Sequence, residues 1–204
     1  MFVTFEGPEG GGKSTALRAV ASRLRANGIT VTETREPGAG DFGREVRAVL
    51  LEGSAMGARA ELFLFLADRA EHVEKIVRPA LRRGEIVLCD RHADSTYVYQ
   101  AVARGLDPDF VRRANAFATD GLVPDLTLLL DIDPEVGLAR IAQKDRLDRQ
   151  PLEFHRAVRA GFLALAASEP VRFVTLDAAG PPEATAERAY RAVFERLVLR
   201  ERLD

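Results

Sequence analysis

Lysine is scarce in this sequence. Of 29 basic residues among 204, only Lys13, Lys75 and Lys144 are lysines, and the other 26 are arginines. Charge of one sign is also missing: 29 basic residues stand against 31 acidic ones, for a formal net charge of −2. No global cationic field exists to attract a nucleic-acid backbone, so no nucleic-acid partner is expected. Cys89 stands alone, which excludes an internal disulfide and a thiolate-only metal site and points to a reducing, cytoplasmic setting. No apolar run approaches the roughly 18 residues of a membrane span. Met1 to Glu6 lacks the basic and apolar regions of a signal peptide, so no membrane partner or secretion is expected. Repeats and low-complexity linkers are absent too, which implies one domain over residues 1–204.

What is present is an ordinary globular composition, 47% hydrophobic and 29% charged, ample for a core. Phe2 to Phe5 reads as a strand, and a helical pattern runs from Lys13 to a stop at Asn27-Gly28. Ile29 to Thr34 reads as a second strand, closed by Glu36-Pro37-Gly38. Arg59 to Arg83 reads as one long helix, and its consecutive Leu62 to Leu66 suggest burial on more than one face. Lys75 on that helix follows Glu71 by four residues, the spacing of a surface ion pair. Glu85 to Cys89 is apolar without alternation, as buried parallel strands are. Helical patterns follow at Ser95 to Arg104 and Pro108 to Thr119, then a strand at Leu126 to Leu130. Pro134 to Ala142 and Leu152 to Ala167 read as helices, Val171 to Leu176 as a strand, and the chain ends in a helix. Tyr190, Val193, Phe194, Leu197 and Val198 give that last helix its apolar stripe. The alternation predicts an α/β fold with a five-stranded, mostly parallel sheet flanked by helices.

The strongest chemical signal follows the first strand. Gly7-Pro8-Glu9-Gly10-Gly11-Gly12-Lys13-Ser14 matches G-x-x-x-x-G-K-[ST] between a strand and a helix, the context of a phosphate-binding loop. Glycines let successive backbone N–H groups turn inward around phosphate oxygens, and the helix N-terminus adds partial positive charge. Lys13 can reach the outer phosphates, and the Ser14 hydroxyl can ligate Mg²⁺. A GTPase is excluded: the sole Asp-x-x-Gly, Asp177 to Gly180, follows the last strand, and no Asn-Lys-x-Asp base reader exists. A transporter-type ATPase lacks its Leu-Ser-Gly-Gly-Gln signature. Asp90-Arg91 sits at the end of the third strand, where open α/β sheets bind ligands. Asp90 is placed to hold Mg²⁺ or its water and Arg91 to fork a phosphate.

Further motifs occur in order. They are Phe5-Glu6-Gly7, Arg35-Glu36-Pro37-Gly38, Phe65-Leu66-Ala67-Asp68-Arg69, Asp90-Arg91-His92 with Ser95-Thr96 and Tyr99-Gln100, Gly121 to Leu126, Asp131 to Gly137, and Asp145-Arg146-Leu147-Asp148. Over essentially the whole chain this series resembles the thymidylate kinase family, of the bacterial kind. The resemblance implies a P-loop NTPase fold and phosphoryl transfer from ATP, with Mg²⁺, to dTMP. It implies that Gly7, Glu9, Gly10, Gly11, Gly12, Lys13, Ser14 and Thr15 hold the ATP phosphates, with Arg140 and Arg149 assisting. Phe65 stacks on the base, Arg69 points to its O4, and Thr96 and Gln100 bond its edge. Glu9 and Tyr99 lie near the sugar. Arg47 and Arg91 neutralise the acceptor phosphate, and Glu36 approaches that phosphate and its metal or water. Residues 140–151 form a lid carrying Lys144, with Arg146 as the catalytic arginine beside Lys13 and Arg91; Ser14 and Asp90 serve the metal. A homodimer is the family's usual state. Ala39-Gly40 and His92 depart from the commoner Gly-Thr and Tyr. Another P-loop kinase of a small molecule or nucleotide is the alternative.

Overall fold

The computed structural model describes residues 1–201. Five strands, β1 (Phe2–Glu6), β2 (Val31–Arg35), β3 (Ile86–Asp90), β4 (Leu126–Asp131) and β5 (Phe173–Asp177), form one sheet in the order β2-β3-β1-β4-β5. Every neighbouring pair is parallel. Parallel strands need crossovers, and helices on both faces supply them. Period-two alternation divides the strands: Val3, Phe5, Leu128 and Leu130 pack with Leu17, Val20 and Leu24 of α1 (Lys13–Ala26) and Val193 of α9 (Pro182–Glu201). On the opposite face Phe2, Val87 and Cys89 meet Val77 and Ala80. There too, Leu129 and Phe173 meet Val98 and Phe162. Each fully buried large side chain contributes about 1.5–3 kcal/mol of transfer free energy.

Several elements differ from their sequence reading. Strands β2 and β5 each start two residues later than expected, because only residues inside the sheet find ladder partners. Gly40–Leu51 forms a further helix, α2, absent from the periodic segments above. Gly43 sits inside it because an added Cβ would lie 2.8 Å from Asp68 and 3.1 Å from the Gly38 backbone. The long helix is interrupted: α3 (Ala58–His72) passes through a π turn at Val73–Val77 into α4 (Arg78–Arg82). Within that wider turn Lys75 pairs with its neighbour Glu74 at 3.0 Å and not with Glu71. Phe63 is 59% exposed, so the run from Leu62 to Leu66 is not buried all round. A second composite helix joins α5 (Ala93–Thr96) to a π segment at Tyr97–Ala103. The remaining helices are α6 (Pro108–Ala118), α7 (Pro134–Ala139) and α8 (Leu152–Ser168). The helix expected to reach Ala142 thus stops at Ala139, and 141–150 contains only turns and irregular backbone.

Parallel strands end on one edge of the sheet. Glu6, Arg35, Asp90 and Asp131 are therefore gathered there with the loops that follow them.

Candidate active site

The loop after β1 is held close to β4 and α7. Gly7, at φ 134°, would drive a Cβ to 2.3 Å from the Leu130 carbonyl oxygen, and Gly10 would drive one to 2.0 Å from that of Gly137. Gly137 answers in kind, its own Cβ position lying 2.2 Å from the Glu9 carbonyl oxygen. The two backbones thus interlock only because both residues are glycine. Gly12 precedes α1 at φ 80°. Lys13 folds over the loop, its Nζ donating to the carbonyls of Pro8 at 2.7 Å and Gly7 at 3.1 Å. Burial and the nearby Arg91 pull its ammonium down to about 8, against the attraction of Glu9, Asp90 and Glu6. Ser14 Oγ donates to Asp90 Oδ2.

Arg91 begins the loop after β3 with φ 69°, a strained conformation for a residue with a side chain. The turn is pinned from behind by Glu6, which accepts from His92 N at 2.7 Å, Ser95 N at 3.3 Å and Ser95 Oγ. Burial, reinforced by Asp94, pushes the Glu6 carboxyl up to about 7. The Arg91 guanidinium thereby reaches Glu9 Oε2 at 2.7 Å and Ser95 Oγ at 3.0 Å, while Tyr99 donates to Glu9 Oε1 at 2.6 Å. Burial raises the Glu9 pKa, but Arg91, Lys13 and the Tyr99 hydroxyl outweigh it and hold it at about 2.

These groups open into a cavity of about 350 Å³. Its lining includes Glu9, Gly10, Gly12, Lys13, Ser14 and Thr15 of the loop, Arg47, Asp90 and Arg91, and also Glu36, Phe65, Arg69, His92, Thr96, Tyr99 and Gln100. Arg35 also lines the cavity, a cation that the sequence motif contained but did not single out. Glu6 and Ser95 were likewise unassigned. Their only sequence signal is polar residues flanking a buried strand and its loop.

A buried polar cluster that includes Glu36, Arg69 and His92 forms part of the cavity wall. Glu36 Oε2 accepts from Arg69 Nε at 2.8 Å, and its Oε1 lies 2.6 Å from His72 Nδ1 and 2.8 Å from His92 Nδ1. Arg69 Nη1 donates to Asn115 Oδ1 at 2.6 Å. Burial opposes the Glu36 charge, but His92 and Arg69 more than compensate and hold its carboxyl well below the usual range. Among the described residues, Glu36, His72 and Cys89 bring potential ligand atoms within 4.8 Å of one another. Glu36 and both ring nitrogens of His72 are already committed to hydrogen bonds, and burial pushes the Cys89 thiol well up. That cluster is a packed network.

Several of the expected site residues make other contacts in this structure or lie outside the cavity lining. Glu36 lines the cavity, and its two oxygens already meet Arg69, His72 and His92. Two nitrogens of Arg69 are spent on Glu36 and Asn115, so it is first a buried structural cation, 1% exposed. Arg140 donates to the carbonyls of Ala178 and Ala179 at 2.9 and 2.8 Å and does not line the cavity. Arg149 is exposed and Gly7 and Gly11 are buried, and none of the three is in the cavity lining. Arg146 donates through Nε to the Leu50 carbonyl at 2.7 Å. Its Nη2 lies 2.6 Å from Glu61 Oε2, an ion pair without hydrogen-bond alignment. Its neighbours Asp145, Leu147 and Asp148 line the cavity, but Arg146 does not.

The oxygen donors Ser14 and Asp90, at the mouth of a phosphate loop, suit a hard divalent cation such as Mg²⁺. Asp90 is half-buried and Ser14 exposed, so both can be reached from solvent.

Comparison with known proteins places the chain in a family. The family model described as thymidylate kinase matches residues 5–189. A thymidylate kinase of Solidesulfovibrio magneticus is 49% identical over 205 residues, covering 95% of this chain and 98% of the relative. One from Deinococcus radiodurans is 49% identical over 200 residues, covering 96% and 97%. The crystal structure of thymidylate kinase from Ehrlichia chaffeensis superposes with a TM-score of 0.77 at 31% identity, covering 97% of this chain and 98% of that one. With a five-stranded parallel sheet, a glycine-built phosphate loop and full-length relatives, this chain belongs to the thymidylate kinase family.

Proposed function

We propose that the chain transfers the γ-phosphoryl group of ATP to dTMP, giving dTDP and ADP. The observation that carries this reading is that one cavity is lined by the phosphate loop and by Phe65, Thr96, Tyr99 and Gln100, with Arg47 and Arg91 in the same lining. At the pocket end Phe65 offers a ring face, and Gln100 offers an acceptor: its Oε1 is buried and has no hydrogen-bond partner. A buried acceptor left unpaired costs about 1–3 kcal/mol, and the N3–H of thymine supplies the missing donor. Thr96 stands beside it on the same composite helix.

The nucleophile is an oxygen of the acceptor phosphate, already anionic, so no general base is required. Catalysis is positioning and charge neutralisation. Glu9 orients Arg91 and Tyr99 toward the sugar and acceptor phosphate. Arg47, anchored on the Pro37 carbonyl at 2.8 Å, flanks the same region. Lys13 exchanges its two loop carbonyls for donor phosphate oxygens. Ser14 and Asp90 would hold Mg²⁺, which when bound would neutralise charge on the donor phosphates. Residues 140–151 act as a lid on a single domain, and Arg146 moves from Glu61 to the transferring phosphoryl group as they close. Two copies pair through the face on which Phe63 and Phe117, 59% and 90% exposed, project from α3 and α6. No helix among the described residues is long and apolar enough to cross a membrane, and a cytoplasmic setting fits the lone buried thiol.

A coupled ADP-release assay with ATP, Mg²⁺ and a panel of acceptors tests the reading. Turnover that depends on dTMP is expected; turnover only with another acceptor overturns it.

A further inference from the structure

Glu61 on α3 enters the chemistry above only as the resting partner of Arg146, yet it is 1% exposed and engaged from three directions. Gln100 donates to its Oε1 through Nε2 at 3.0 Å. Arg104 approaches both its oxygens, at 3.3 and 3.4 Å, and Arg146 stands 2.6 Å from Oε2. A carboxylate beside two guanidiniums only accepts hydrogen bonds. Whatever part of the Gln100 amide faces it must therefore be the NH₂ group, and the carbonyl is turned away. Gln100 is itself fully buried and lines the cavity, so its unpartnered Oε1 is the end left for a ligand.

We infer that Glu61 is a specificity-positioning residue: by holding the Gln100 NH₂ it fixes an acceptor toward the base and so selects pyrimidines with a hydrogen on N3 over those whose N3 is a lone pair. This rests on the dTMP reading and deepens it. Without an acceptor-only partner the two orientations of a glutamine amide differ little, and a reversed amide presents a donor, which suits cytosine. Thymine and uracil carry the same N3–H, so the device is blind to the 5-methyl group.

The test is Glu61→Gln, assayed for kcat and KM with dTMP, dUMP and dCMP at saturating ATP. The amide introduced there can turn its own NH₂ toward Gln100 and let that side chain reverse. The ratio of kcat/KM for dTMP to that for dCMP is expected to fall about 10²-fold, chiefly through KM, while the dTMP to dUMP ratio stays put. A merely structural loosening lowers all three activities together and leaves both ratios unchanged, and that result overturns the assignment. Glu61→Met, of similar volume but accepting nothing, is the second variant should the first misfold. It frees the amide without reversing it, and the dTMP to dCMP ratio is expected to fall about tenfold; an unchanged ratio counts against the inference equally. If the wild-type chain shows no dTMP turnover, the proposed function fails; if it turns over and the ratios hold, only the role of Glu61 does.

Discussion

At the acceptor end of the cavity, Glu36, Arg69, His72, His92 and Gln100 are each 4% exposed or less and tied into continuous hydrogen-bond chains. At the donor end Gly12, Ser14 and Thr15 are exposed, and 141–150 carries no helix or strand. The end proposed to take the base is thus shaped before any substrate arrives, because moving one of its charges strands another in a low-dielectric interior. The donor site instead presents backbone N–H groups and a lysine parked on loop carbonyls, groups that an arriving polyphosphate must organise. On the proposed function, recognition is built into the packed end and catalysis is assembled at the open one.

The comparison can be broken most severely at Lys13. Lys13→Met is expected to lower kcat by about 10³-fold with the thermal midpoint within a few degrees of wild type. A retained rate in the ADP-release assay would remove the donor end from the mechanism. On the packed side, Arg69→Met leaves Glu36 buried with only two imidazoles, and stability should drop by about 3 kcal/mol in urea unfolding. An unchanged midpoint shows that the pocket is not preorganised by that ion pair. Arg146→Ala is expected to reduce kcat by about 10²-fold while KM for dTMP is unchanged; a near-normal kcat restricts Arg146 to its contact with Glu61. Gly137→Ala pushes a Cβ onto the Glu9 carbonyl, 2.2 Å away, and should cost about tenfold in kcat/KM for ATP. A wild-type value there means the loop can give way. The mildest test is pH. Lys13, lowered to about 8 by burial and Arg91, is protonated in the free enzyme below that value. The kcat/KM for ATP should therefore decline as pH rises through about 8, while kcat at saturating ATP holds to higher pH because bound phosphates favour the ammonium. Parallel declines in both parameters would show that nucleotide does not engage Lys13.

Legibility followed the same division. The phosphate loop could be read in one dimension, since its chemistry is local: Gly7 to Ser14 are contiguous and need only a strand before and a helix after. The packed end could not. Glu36 carries a charge next to a loop and reads as a ligand group, whereas its real partners, Arg69, His72 and His92, lie 33, 36 and 56 residues away. The same holds for Arg140 and Arg146. Sequence placed them in a basic cluster, and backbone carbonyls after β5 and at the end of α2 claimed them. Helix α2 escaped notice because its register is set by Gly43 fitting against Asp68, a contact 25 residues on.

The sequence by itself determined the alternation of strands and helices, the sheet's burial on both faces, the phosphate loop and the family resemblance, all carried by short-range pattern. Even its scarcity of lysine was informative, because Lys13 persists where a compact ammonium is needed. Only the tertiary structure decided which charges face the cavity and which are consumed in holding it. Pairing, burial and desolvation depend on distances in space, and the chain sets those only when the sheet brings its loops to one edge.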